Sequence, residues 1–192
     1  AGGGKAYTCF PPIKPGTEKN IMDTLQDLDG PAQYEVDLET QATSFSGNDG
    51  MDLFLLELED FGLDALLRDE SQEYTLYAPT NSVVEAFKEL GGKFTREMLE
   101  YHIVKGKKKY KLDEYNDDNT QGQTSPVLTY ETVLGKPIIH TLARYGQWYE
   151  IGGVAMPGAG SWRGMEDTAH PYNVECTNGF IHGIEGIIEL PQ

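Results

Sequence analysis

Cysteine is scarce in this chain, with Cys9 near one end and Cys176 near the other the only two among 192 residues. Neither belongs to a CxxC pair or stands beside a histidine cluster, so a zinc site of the usual spacing is excluded. Basic residues are few as well: 15 Lys and Arg against 31 Asp and Glu give a formal charge of −16. Such a surplus repels nucleic-acid phosphates and anionic lipid surfaces, which removes nucleic acid from the expected partners and favours basic ones. No stretch approaches the roughly 18 continuous apolar residues that cross a bilayer, so membrane insertion is not expected. Asn-x-Ser/Thr acceptors are missing too, and N-glycosylation therefore lends no support to a eukaryotic secretory route. Finally, no spacing suggests a nucleophile with its base or a pair of carboxylates in a cleft, so no catalytic, metal or cofactor site is expected.

Hydrophobic residues at 39% and charged residues at 24% are near the averages for folded proteins. The length suits one domain with an added arm. The start, Ala1-Gly2-Gly3-Gly4, suits a mature end left after signal cleavage. Two lone cysteines read either as buried thiols or as one disulfide tying the arm to the last strands, and the Cys9–Cys176 bridge is the favoured reading. In the chain-entropy model so long a loop closure stabilises by roughly 5 kcal/mol. A bridge implies an oxidising setting: secreted, periplasmic, or an organelle lumen such as that of the thylakoid.

Residues 1–50 read as an arm, since Pro11-Pro12-Ile13-Lys14-Pro15-Gly16 cannot continue a helix. Within it, Ile21, Met22, Leu25 and Leu28 recur at helical spacing behind Thr17 or Asn20 as caps, with Gly30-Pro31 as the stop. Weak alternation through Tyr34, Val36 and Leu38 follows, then a turn at 46–50. From Met51 the periodicity sharpens into two short helices interrupted by Gly62. Tyr74 to Ala78 predicts a buried strand ended by Pro79, with Ser82 and Glu85 spaced as a capping box for the next helix. Thr95 to Val104 repeats the cap-plus-apolar pattern until Gly106. Beyond Val127, β-rich segments are expected at 127–134, 137–143, 147–154, 172–177 and 180–190. Helices first and strands afterwards predict an α+β domain whose sheets are mainly antiparallel.

Three segments in order carry a family resemblance. Tyr74-Thr75-Leu76-Tyr77-Ala78-Pro79-Thr80-Asn81, followed by Phe87, resembles the first signature of fasciclin domains. Leu99-Glu100-Tyr101-His102-Ile103-Val104 is similar to their Tyr-His segment, and Thr177-Asn178-Gly179-Phe180-Ile181-His182-Gly183 to their closing signature. Tyr130 to Lys136 resembles their threonine-leucine-glycine hairpin, so the likeness runs over about 51–191. It implies a wedge of two β-sheets edged by short helices, used for recognition in adhesion, matrix and envelope proteins without a shared catalytic site. The domain is accordingly expected at 51–192, behind the arm at 1–50.

The matched residues read as structural first. Pro79 fixes a turn while Thr80 or Ser82 satisfies helix amides. Asn178-Gly179 signals a hairpin turn. His102 and His182, in apolar runs, read as hydrogen-bonded core histidines rather than ligands. Where adhesive members carry an Asp-Ile pair linked to receptor binding, this chain has Asn173-Val174. Residues 113–119 are acidic but lack the glycine and the later glutamate of a calcium loop. The run Lys105, Lys107, Lys108, Lys109 and Lys111 is a candidate docking patch for an acidic partner surface. The expected function is a non-catalytic, extracytoplasmic module for protein–protein interaction or adhesion. The alternatives are an extrinsic subunit of a large membrane complex, such as a photosystem, and a soluble carrier of an apolar ligand such as a carotenoid.

Overall fold

The computed structural model describes residues 19–27, 33–36, 43–46, 50–108, 127–142, 149–156 and 174–192, with the backbone alone at 27, 33–36, 43–46, 142 and 149. Helix α1 spans Ile21–Asp27. Its cap is Asn20, whose Oδ1 accepts from the Asp23 amide at 3.0 Å while its Nδ2 donates to the Asp23 carboxylate at 2.9 Å. This reciprocal pair satisfies an end the backbone cannot. Strands β1 (Gln33–Val36) and β2 (Thr43–Ser46) pair antiparallel with each other. Helices α2 (Asp52–Asp60) and α3 (Asp64–Arg68) follow, split at Gly62 as the periodicity predicts.

Strand β3 (Tyr74–Pro79) leads into α4 (Asn81–Glu89), and α5 (Arg96–Tyr101) leads into β4 (Ile103–Lys105). The pattern expected to stay helical from Thr95 to Val104 therefore divides: Thr95 caps as predicted, but Ile103 and Val104 pair with Leu76 and Thr75. Two buried β-branched-type positions beside an existing strand gain a ladder there that a helix could not offer. β5 (Val127–Glu131) and β6 (Pro137–Leu142) form the hairpin read from Tyr130 to Lys136. The segment expected as one strand at 147–154 is instead the turn of a second hairpin, β7 (Tyr149–Ile151) and β8 (Val154–Met156). Gly152 and Gly153 lie at φ 56° and 82°, the left-handed pair that a two-residue hairpin turn requires.

Strand β9 (Val174–Cys176) and strand β10 (Gly179–Ile184) close the chain's second half; β10 stops at Ile184, short of the expected 190. Gly179 already faces Cys176 across the ladder, so the turn residues are Thr177-Asn178 rather than Asn178-Gly179. Gly179 is instead pressed on its neighbour, where a Cβ would lie 1.7 Å from the Tyr74 carbonyl oxygen.

Two four-stranded sheets result, in the orders β4-β3-β10-β9 and β5-β6-β7-β8. All their pairings are antiparallel except the central one, where β10 runs parallel to β3 with Gly179 opposite Tyr74 and Ile184 opposite Pro79. All six residues of β10 are buried, because the strand is covered on both faces. Ile181, with Leu76 and Ala78 of β3, faces a core shared with the helices. Ile184 and Tyr77 face the other way, into a second core with Ile138, Ile151 and Met156 of the opposing sheet. This α+β architecture with mainly antiparallel sheets is the one expected from the order of elements, and the two sheets edged by short helices are what the resemblance implies.

Helix α1, although read as part of an arm, is built into the first core. Ile21, Met22 and Leu25 are fully buried against it. At about 1.5–3 kcal/mol for each such side chain, the helix has ample reason to stay docked.

Candidate functional site

The three matched segments lie side by side along the neighbouring strands β4, β3 and β10 of the first sheet. At the β3–α4 junction Ala78, Pro79 and Thr80 are buried. Thr80 holds the N-cap position in an extended conformation, but neither it nor a Ser82–Glu85 box caps α4 by a side-chain bond. The helix starts two residues too early for that box, which leaves Ser82 inside its first turn with its hydroxyl 3.3 Å from that of Thr80. Asn81 serves a different helix: its amide donates to Gly50 O at 2.7 Å, its Oδ1 accepts from the Leu53 amide at 3.0 Å, and its Nδ2 reaches the Asp52 carboxylate. It thereby caps α2. Phe87 packs beside Phe94, with ring centroids 5.0 Å apart, over Gly92.

Tyr101 and His102 end α5. The Tyr101 hydroxyl donates to Pro137 O at 3.0 Å, tying the first sheet to the second. Burial pushes its hydroxyl pKa up. His102 is fully buried; Nδ1 donates to Met98 O at 2.8 Å and Nε2 accepts from the Ile188 amide at 3.1 Å. Both ring nitrogens are thus used by the backbone, the core role expected of it. Burial drops its pKa to about 4 against the opposing pull of the Met98 carbonyl.

His182, also fully buried, donates from Nε2 to Lys108 O at 2.7 Å. Its ring stacks near Phe180 and Tyr77, with centroids 6.3 and 5.5 Å away. Burial holds its pKa near 3, with the Lys108 carbonyl opposing and the nearby His140 adding to the depression. His140, which no motif marks, stands on β6 beside Tyr130 at 5.7 Å and is lowered by burial to about 4. These imidazoles are neutral at physiological pH, and those of His102 and His182 bond to backbone groups. Among the described residues no three His, Cys, Asp or Glu side chains converge on a metal position.

Asn178 does more than its reading as a turn residue implies. It is fully buried. Its Oδ1 accepts from the Ile21 amide at 2.9 Å, while its Nδ2 donates to Leu67 O at 2.8 Å and to Asp69 O at 3.2 Å. Its own carbonyl accepts from the Tyr74 amide at 2.9 Å, and the preceding Thr177 amide donates to Lys19 O at 2.9 Å. One residue therefore joins the first turn of α1 and the end of α3 through its carboxamide, and the start of β3 through its main-chain carbonyl. Only a buried polar residue inside an apolar signature could have hinted at this.

Of the basic run, Lys105 pairs with Glu131, Lys107 lies 3.5 Å from the Glu73 carboxylate, and Lys108 sits 4.9 Å over the Tyr130 ring. Thr75 holds the segment in place, its hydroxyl donating to Gly106 O at 2.7 Å and accepting from the Lys108 amide at 2.8 Å. Lys109, Lys111, Cys9, Asn173 and the acidic loop 113–119 lie outside the described residues. Cys176 is buried in β9, its sulfur 3.7 Å from Val174 O. No helix among the described residues is long and apolar enough to cross a membrane.

A family model described as Fasciclin domain matches residues 50–191. No curated protein matches the chain. Among solved structures, one titled "Novel Fold Revealed by the Structure of a FAS1 Domain Pair from the Insect Cell Adhesion Molecule Fasciclin I" is similar at 19% identity and a TM-score of 0.41, over 71% of this chain and 45% of that one. This chain thus spans less than half the length of that insect relative.

Proposed function

Since the chain belongs to the fasciclin-domain family, whose members generally serve adhesion or protein interaction, we propose that it is a non-catalytic recognition module that binds a basic protein surface through its helical layer. The observation that carries this reading is the distribution of charge. From Asp52 to Glu100 there are twelve acidic and four basic side chains. Three of those four bases are engaged within the fold: Arg68 with Asp23 and Glu59, Lys88 with Glu57, and Arg96 with Glu100. On the same layer Leu56 of α2 is 50% exposed and Leu90, just past α4, is 90% exposed. Exposed leucines among uncompensated carboxylates suit an interface with an apolar centre and a charged rim. The lysines at 105, 107 and 108 already serve their own chain, so the acidic layer is the stronger docking surface. The working compartment is extracytoplasmic, with Cys9 and Cys176 bridged.

The test is mild purification of the native protein, with mass spectrometry of what co-elutes, followed by the same experiment on a variant carrying Glu59→Lys, Glu85→Lys and Glu89→Lys. A specific basic partner that is lost from the variant and at high salt supports the proposal. A partner retained by the folded variant overturns the assignment of the surface, and a native protein that stays a lone monomer overturns the recognition role.

A further inference from the structure

Asn178-Gly179 is the one Asn-Gly dipeptide in the chain. With no Cβ on the second residue, its backbone nitrogen has open access to the carboxamide carbon before it, which makes such pairs the most prone to lose ammonia. In the closed fold that access is barred. Three side-chain bonds, from the Ile21 amide and to the Leu67 and Asp69 carbonyls, fix the orientation of the carboxamide, and the Tyr74 amide fixes the adjoining carbonyl. Ring closure needs the carboxamide to turn toward the Gly179 nitrogen, which breaks all three bonds at once in a buried site without water to replace them.

The fold cannot exchange either residue for a safer one. A Cβ at position 179 would lie 1.7 Å from Tyr74 O, so bulk that slows the reaction elsewhere has no room. Position 178 needs both an acceptor for Ile21 and two donors for Leu67 and Asp69, which a carboxamide of this length supplies and a carboxylate does not. One of the three partners, the Ile21 amide, belongs to α1. Undocking of that short helix releases Oδ1 and opens the site to water, which can replace the two remaining bonds to Leu67 O and Asp69 O.

We infer that Asn178-Gly179 is a spontaneous deamidation site guarded by α1, so that release of this helix becomes irreversible. On opening, the Gly179 nitrogen gives its proton to solvent and bonds to Cγ of Asn178, and the Cγ–Nδ2 bond breaks as ammonia leaves. The resulting succinimide takes up one water at either ring carbonyl, giving aspartate or isoaspartate. Overall one water is consumed and one ammonia released, with no change of oxidation state. The new carboxylate offers no hydrogen to Leu67 O or Asp69 O and places a negative charge against both. Isoaspartate also inserts an extra main-chain carbon into the Thr177-Asn178 turn. Although the Ile21 amide still finds an acceptor in the aspartate product, closing α1 again buries the new charge against the two carbonyls.

The experiment follows deamidation of the full chain at mildly alkaline pH by intact mass and by peptide mapping that separates the two products at position 178. Three samples are compared: the native protein, the protein in urea, and Leu25→Asp, which expels α1 without touching Asn178. Native protein should react at least about tenfold more slowly than protein in urea, and Leu25→Asp should recover most of the difference. Deamidated native chain, separated by ion exchange, should have lost hydrogen-exchange protection at 21–27. A native rate equal to that in urea, an unchanged rate in a Leu25→Asp protein that retains its far-UV circular dichroism, or full protection at 21–27 after deamidation would each overturn the inference.

Discussion

Acidification should destabilise this protein well before its carboxylates titrate. His102 and His182 are neutral in the folded state, held by burial at about 4 and near 3. In the unfolded chain both return to about 6.5. The unfolded state then binds more protons whenever the pH lies below that value, so the stability these groups support is complete above about pH 6.5 and is lost as the pH falls toward the folded values. Each contributes a slope of about 1.4 kcal/mol per unit, or about 2 kcal/mol between pH 6.5 and pH 5. Two such groups give a loss of about 4 kcal/mol, a large share of the 5–15 kcal/mol typical of a domain. His140, lowered to about 4 on the opposing sheet, acts in the same direction. The measurement is urea unfolding followed by circular dichroism at pH 7, 6 and 5, with the free energies extrapolated to water. His182→Gln, which keeps a donor near Lys108 O, should lower stability at pH 7 but flatten the dependence on pH by a third to a half. Stability that changes by less than about 1 kcal/mol from pH 7 to pH 5 would refute the claim that these imidazoles stay buried and neutral.

Further outcomes follow from single contacts. Asn178→Ala leaves the Ile21 amide and the Leu67 and Asp69 carbonyls without their partner, and should cost about 3–5 kcal/mol in the same unfolding assay. Leu25→Ala should cost about 2–5 kcal/mol, as for any core leucine, whereas a loosely attached arm would show almost none. Tyr101→Phe removes the bond to Pro137 O and should lower stability by about 1 kcal/mol without altering the folded spectrum. Alkylation under denaturing, non-reducing conditions should leave the mass of the native chain unchanged if Cys9 and Cys176 are bridged. Uptake of two alkyl groups removes that bridge and the argument for an oxidising compartment that rests on it.

Fold class was legible because helical spacing and β-rich segments occupy different halves of the chain. The caps at Asn20 and Thr95 could be read since each depends only on residues three positions apart. Boundaries decided by distant partners could not. Ile103 and Val104 leave the helical pattern because Leu76 and Thr75 lie alongside, and Ser82 loses its cap because α4 begins at Asn81. Apolar neighbours in the sequence mark the histidines at 102 and 182 as core positions, and both are fully buried. Asn178 reads as a motif residue, yet its task is hidden in the sequence, since all four of its partners lie more than a hundred positions away in the chain. The acidic surplus of 52–100 is a matter of count in the sequence; which bases are engaged within the fold is seen only in the structure.

The parallel pairing of β3 with β10 also sets an order of events during synthesis. β3 leaves the ribosome while its central partner is still unmade, and everything from Thr80 to Asn178 must follow before Gly179 can take its place beside Tyr74. Until then the edge of β3 that β10 will occupy stays open, although the elements that cover its two faces are already made. Such long-range closure slows folding and prolongs the aggregation-prone interval. A substitution that delays β10 should therefore lower yield in the cell even where the finished protein is fully stable.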